Sequence, residues 1–160
     1  MKGFVSYSHE DIDVCRKLAV HLAAFSGIDF RIDYGALRTG HHLDPQIAGW
    51  IAEAQVHVLM VSAYSIVSPY IRHVELPAIL ERRVSGALIL PLVIGKCRHQ
   101  VVTNGLLPAP HGGDQRLKPI RDWRPYDNGL DKACEEFAAA IRDHFGIDPH
   151  PPLIDWGGGA

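Results

Sequence analysis

Two nearly unbroken apolar runs set the tightest limit on how this chain can fold: Val56-His57-Val58-Leu59-Met60-Val61 and Ala87-Leu88-Ile89-Leu90-Pro91-Leu92-Val93-Ile94. Neither approaches the ~20 residues needed to cross a bilayer. Both lack the polar alternation of a half-exposed strand. Rich in β-branched residues, they read as strands buried on both faces, as parallel strands are when helices cover them. Pro91 is unwelcome in a central strand, because it has no N–H to give to a ladder.

Helical patterns fill the intervals. Ser68-Pro69 pairs a cap with a proline and opens a helix to about Arg83, with Pro77 inside it expected to bend it. Upstream, Phe4-Val5-Ser6-Tyr7 reads as a short strand, and Asp11 is placed to cap a helix carrying Val14, Leu18, Leu22 and Phe25. Ile28 to Asp33 alternates apolar and polar, as a half-exposed edge strand does. Tyr34 to Leu43 reads as a loop, then Asp44-Pro45 starts a helix with Ile47, Trp50, Ile51 and Ala54 on one face. Ser62 to Val67 reads as a loop, and Lys96 to Leu117 as a long irregular connection with at most a short helix. Lys118-Pro119-Ile120 is a candidate final strand. Leu130, Cys134, Phe137, Ile141 and Phe145 mark a last amphipathic helix, ended by Gly146.

Strands alternating with helices imply an α/β domain with a mostly parallel sheet and helices on both faces. The 160 residues suit one core. The domain is expected over residues 1–146, with 147–160 a linker or tail that leads to a sensor domain. Such sheets bind ligands outside the carboxyl ends of their strands, at the switch in strand order. Tyr7-Ser8-His9, Asp33-Tyr34 and Ser62-Ala63-Tyr64 fall there.

Several function classes drop out. Charged residues are 21% of the chain and the formal net charge is -2, which offers no electrostatic grip on nucleic acid or an anionic membrane. The opening residues carry no signal-peptide pattern. Cys15, Cys97 and Cys134 form no CxxC pair and cannot all pair in one chain, which suits a reducing cytosol. The ten histidines show no ligand spacing, so no metal site is expected. There is no Walker A loop, GxGxxG or GxSxG elbow.

Phe4-Val5-Ser6-Tyr7-Ser8-His9-Glu10-Asp11 resembles the opening signature of TIR (Toll/interleukin-1 receptor) domains. Asp33 with the loop around Gly40 is similar to that family's second strand and assembly loop. Val61-Ser62-Ala63-Tyr64 through Tyr70-Ile71, then Glu75-Leu76-Pro77, resembles its bacterial branch, as do Ile89-Leu90-Pro91-Leu92, Lys118-Pro119-Ile120 and Trp123. The resemblance spans about residues 1–146. It implies a flavodoxin-like sheet of five strands in the order 2-1-3-4-5.

The resemblance also implies one of two functions. The first is an NAD+ glycohydrolase that cuts the nicotinamide–ribose bond and serves bacterial anti-phage immunity. Its product would be ADP-ribose or a cyclic form. NAD+ is then the substrate, and no cofactor is needed. The family's catalytic glutamate falls on Glu75. Ser8, His9, Asp33, His42, Ser62, Tyr64, Tyr70 and Ile71 align with positions around the nucleotide. Many NAD-cleaving relatives carry Trp where Ile71 stands. The loop Arg38-Thr39-Gly40-His41-His42 would meet a neighbouring TIR domain in a homo-oligomer or filament. The second function is a scaffold that binds other TIR domains and performs no chemistry.

One carboxylate suffices for the first function. Ordinary glycosidases need two, one of them to protonate the leaving oxygen. Nicotinamide is a cationic pyridinium and leaves neutral, without a proton donor. The remaining task is to stabilise positive charge developing on the ribose, which a shielded carboxylate does.

Overall fold

The computed structural model describes residues 1–34, 45–154 and 157. Four parallel strands form one sheet in the order β2-β1-β3-β4: β1 (Lys2–Ser6), β2 (Asp29–Ile32), β3 (Val56–Val61) and β4 (Leu88–Val93). β3 is buried along its whole length, and β2 alternates exposed and half-buried residues at the edge. The periodicity of each strand thus matches its place in the sheet.

Helices cover both faces. On one, α1 (Ile12–Leu22) and α6 (Tyr126–Phe145) pack Leu18, Leu22, Leu130, Phe137 and Ile141 against Val5, Val58, Met60 and Leu92. On the other, α2 (Pro45–Glu53) and α4 (Leu76–Val84) bring Ile47, Ile51 and Ile79 to Phe4, Leu59, Val61 and Val93. Each such side chain contributes about 1.5–3 kcal/mol by leaving water. Gly146 closes α6 in the left-handed region at φ 70°, where its N–H bonds to the Arg142 carbonyl at 2.8 Å. Beyond it, the Pro149 carbonyl accepts from Ser26 N–H at 2.7 Å, and the His150 ring stands edge-on to Phe25.

Four local expectations need correction. Residues 62–67 are not a loop: α3 (Ala63–Val67) forms there, closed by reciprocal bonds between Ser62 and Ser65. Lys118-Pro119-Ile120 forms no strand. Ile120–Asp122 is a 3-10 turn, and no fifth strand occurs among the described residues. Pro91 supplies the physical reason. Its carbonyl accepts from Ala109 N–H and Val93 N–H donates to Ala109, both at 2.9 Å, so this side of β4 faces outward. The donor that Pro91 lacks would have pointed the same way, and pairing stops at an isolated bridge. Asp11 makes no capping bond to α1. Finally, Pro77 follows a single π-helical turn, Ile71–Glu75, rather than bending an α-helix. A short α5 (Gln100–Thr103) sits in the long connection before α6, as expected.

Trp123 packs across the start of α6. Its Nε1 donates to the Lys118 carbonyl at 2.9 Å, and Lys118 Nζ lies 4.5 Å from the ring centroid. A Cβ at Gly129 would stand 2.6 Å from Trp123 Cδ1. Alanine normally favours a helix interior over glycine by about 1 kcal/mol. Here the sign should invert, and Gly129→Ala should lose about 1–3 kcal/mol through overpacking. A urea midpoint at or above wild type would contradict this packing.

Candidate functional site

The connections that leave the carboxyl ends of the paired strands β1 and β3 part there, because the chain winds to β2 on one side and to β4 on the other. That is the switch point where such sheets bind ligands. Ser6 is the last residue of β1 and is buried there. Its hydroxyl donates to Glu75 Oε2 at 2.9 Å. Glu75 is only 6% exposed. Burial above all, opposed by the Ser6 bond and aided by the Asp33 charge, pushes its carboxyl up from the ordinary 4.5 to about 7. Near neutral pH this carboxyl therefore sits between its two forms. It can carry negative charge toward a cation or exchange a proton.

The backbone around Glu75 is unusual. In the π turn, Leu76 N–H reaches back to the Ile71 carbonyl, five residues away. In a regular helix the ring of Pro77 would press on the His73 carbonyl four residues earlier. The wider turn removes that clash, and such single turns recur at working sites. It also changes which residue stacks over Glu75. In an α-helix that residue is Ile71; in a π turn the position shifts toward Tyr70. Ile71 is 8% exposed and Tyr70 is half-buried.

Asp33 lies just past β2, and its carbonyl accepts the Tyr7 hydroxyl at 2.7 Å. Burial raises the Tyr7 phenol well above its usual range, so it stays protonated as a donor. Ser8, two residues past β1, is half-exposed and its carbonyl accepts from Asp11 N–H; His9 beside it is exposed. Tyr64, on α3, is 54% exposed. The Ser62 hydroxyl is fully engaged inside the protein, donating to Asp11 and accepting from Ser65 N–H. His42 and the rest of Arg38-Thr39-Gly40-His41-His42 lie outside the described residues. The structure thus brings Glu75 and Asp33 into electrostatic contact beside Ser6, while Tyr64 and His9 stand at the surface.

Two participants escaped the sequence reading. Ser6 sits within the opening signature, and its place as the inward-facing end of β1 was a usable signal. Arg121 contacts Asp11 and Asp13 from 108 to 110 residues away, which no local pattern reveals. Among the described residues no group of His, Cys, Asp and Glu could hold a metal ion, and no helix is long and apolar enough to cross a membrane.

The TIR domain family model matches residues 4–134. The chain belongs to the TIR domain family. It is 28% identical over 147 residues to the uncharacterized protein y4lF of Sinorhizobium fredii (strain NBRC 101917 / NGR234). That match covers 89% of this chain and 43% of y4lF, so the chain spans less than half the length of that curated relative. Among solved structures it is similar to the TIR domains of the activated Roq1 resistosome directly recognizing the pathogen effector XopQ. The TM-score is 0.52 at 18% identity, over 92% of both chains. At that identity the likeness is one of fold.

Proposed function

We propose that this TIR domain is an NAD+ glycohydrolase. The observation that carries the reading is Glu75: a buried carboxyl at the switch point, held by Ser6 and poised near neutrality. The bond between the ribose and the nicotinamide nitrogen breaks. Its electron pair goes to nitrogen, and neutral nicotinamide departs. Carboxylate charge at Glu75 opposes the positive charge left on the sugar. Water then adds to the ribose and loses a proton, giving ADP-ribose; capture by an adenine nitrogen would give a cyclic product instead.

In this reading Asp33, Ser8, His9, Tyr64, Tyr70 and Ile71 border the nucleotide, and His42 belongs to the loop Arg38-Thr39-Gly40-His41-His42 that meets the next TIR domain. Assembly into a homo-oligomer or filament completes the site. The setting is the cytoplasm of a bacterium, with NAD+ loss as a response to phage. The TIR domain is read as residues 1–146, with 147–160 as a linker or tail. A second reading, a TIR–TIR scaffold without chemistry, draws on Ile71, which supplies an apolar wall but no ring to stack on nicotinamide.

NAD+ loss and nicotinamide release, followed at high protein concentration with a crowding agent, separate the two. The enzyme reading expects concentration-dependent cleavage that Glu75→Ala abolishes. The ionised carboxyl does the work, so kcat/KM should rise as pH increases through about 7. Absence of cleavage at every concentration favours the scaffold, whereas cleavage that survives Glu75→Ala removes Glu75 from the catalytic role.

A further inference from the structure

Asp11 is 1% exposed at the end of a 3-10 turn, His9–Asp11, and caps nothing. The Ser62 hydroxyl donates to its Oδ2 at 2.5 Å, and Arg121 Nη2 approaches Oδ1 at 3.5 Å. Arg121 is held in turn by two 3.1 Å bonds to Asp13, and by its backbone N–H to the Ile94 carbonyl just past β4. Cys97 also feels the Asp11 charge. The connections that leave β1, β3 and β4 therefore converge on one carboxyl group. Burial raises that group above the ordinary carboxylate range, although Ser62 and Arg121 pull it down. Packing alone would be served better by an apolar side chain.

Ser62 is the joint of this arrangement. Its proton goes to Asp11, so its oxygen is left to accept Ser65 N–H at 3.1 Å. Ser65 answers by accepting Ser62 N–H at 2.8 Å and donating to the Ser62 carbonyl at 3.1 Å. α3 starts from that clasp. The chain then passes Ser68, whose hydroxyl accepts Ile71 N–H at 3.4 Å, and enters the π turn that ends in Glu75.

We propose that Asp11 is a positioning residue: through Ser62 and the clasp at α3, it holds the π turn so that Glu75 faces Ser6 at the end of β1. It touches no substrate. The proposal rests on the reading of Glu75 as the working carboxylate, but its test does not require activity. Glu75 is one of six glutamates, so 13C-carboxyl labelling with a Glu75→Gln reference isolates its NMR titration.

In Asp11→Leu, which removes the acceptor, and in Ser62→Ala, the Glu75 midpoint should fall by about one pH unit or more as its burial against Ser6 loosens. Ser62→Thr keeps the hydroxyl and should keep the midpoint. In active assemblies kcat should fall about 10- to 100-fold in the first two variants, with KM nearly unchanged. A Glu75 midpoint unmoved in both overturns the proposal. So does an equal fall in Ser62→Thr, which would assign the effect to the site's shape rather than to the bond. If Asp11→Leu does not fold, Ser62→Ala reads the same bond from its other end. Absence of NAD+ cleavage in the wild type strikes the glycohydrolase reading and leaves the titration to decide on Asp11.

Discussion

Glu75→Gln should melt well above the wild type at pH 8 and almost together with it at pH 4.5. A carboxyl whose folded value is raised from 4.5 to about 7 binds its proton more tightly in the folded state. Between those values the folded protein holds more protons than the unfolded chain, so stability falls as pH rises across that window and levels off above it. That difference corresponds to about 3 kcal/mol. Glutamine is never ionised, and its amide oxygen can still accept the Ser6 hydroxyl, so the variant escapes this cost. For a domain of this size, each kcal/mol moves Tm by about 2–4 °C. Calorimetry of both proteins at the two pH values gives the comparison. A gap of the same size at pH 4.5 and pH 8 would sink the idea that Glu75 is strained by ionisation. The variant expected to be inactive is also the more stable one, the usual relation at a site kept for function.

The second large effect has the opposite sign. His57, in β3, is fully buried beside Phe4. Its Nε2 pairs with the Ala54 carbonyl at 3.2 Å, and its Nδ1 has no hydrogen-bond partner among the described residues. Burial above all, and then the nearby Arg82 charge, holds the imidazole down from 6.5 to about 4. Here the unfolded chain takes the proton first. Stability present above pH 6.5 is therefore lost as pH falls toward 4, by about 3 kcal/mol. His57→Leu should remove that acid limb. It should exceed the wild type in urea midpoint below pH 5 and match it within about 1 kcal/mol at pH 7, where one hydrogen bond is exchanged for an apolar contact. Superimposed acid limbs in the two proteins would refute it. The His57 and Glu75 slopes oppose each other over most of the acid range, so the wild-type profile should be flatter than either variant's.

What could be read in the sequence was whatever a local pattern carries. The unbroken apolar runs located β3 and β4, the alternation of 28–33 located the edge strand, and the 3.6-residue spacing located α1 and α6. Glu75 came from a resemblance, since periodicity alone gives a helical glutamate no distinction. The misses share one cause. Asp11 has the right type and spacing for a helix cap, but its carboxyl turns to Ser62, which lies 51 residues away. Pro77 signalled trouble in a helix, yet only the surrounding packing decides between a kink and a widened turn. Lys118-Pro119-Ile120 was too short to hold a strand once the edge beside it lacked a donor. The Ser62–Ser65 clasp was visible as a spacing and was read too simply as loop chemistry.

Pro91 has a further consequence for the life of the molecule outside its folded assembly. A sheet edge with a full row of donors and acceptors is a template on which other chains can add strands and aggregate. On β4 that row is interrupted at Pro91, and the next rungs, the Pro91 carbonyl and the Val93 N–H, are already taken by Ala109. A foreign strand arriving there would meet a gap in the ladder before it could zip. The residue that stops the sheet at four strands among the described residues thus also acts as a gatekeeper against misassembly.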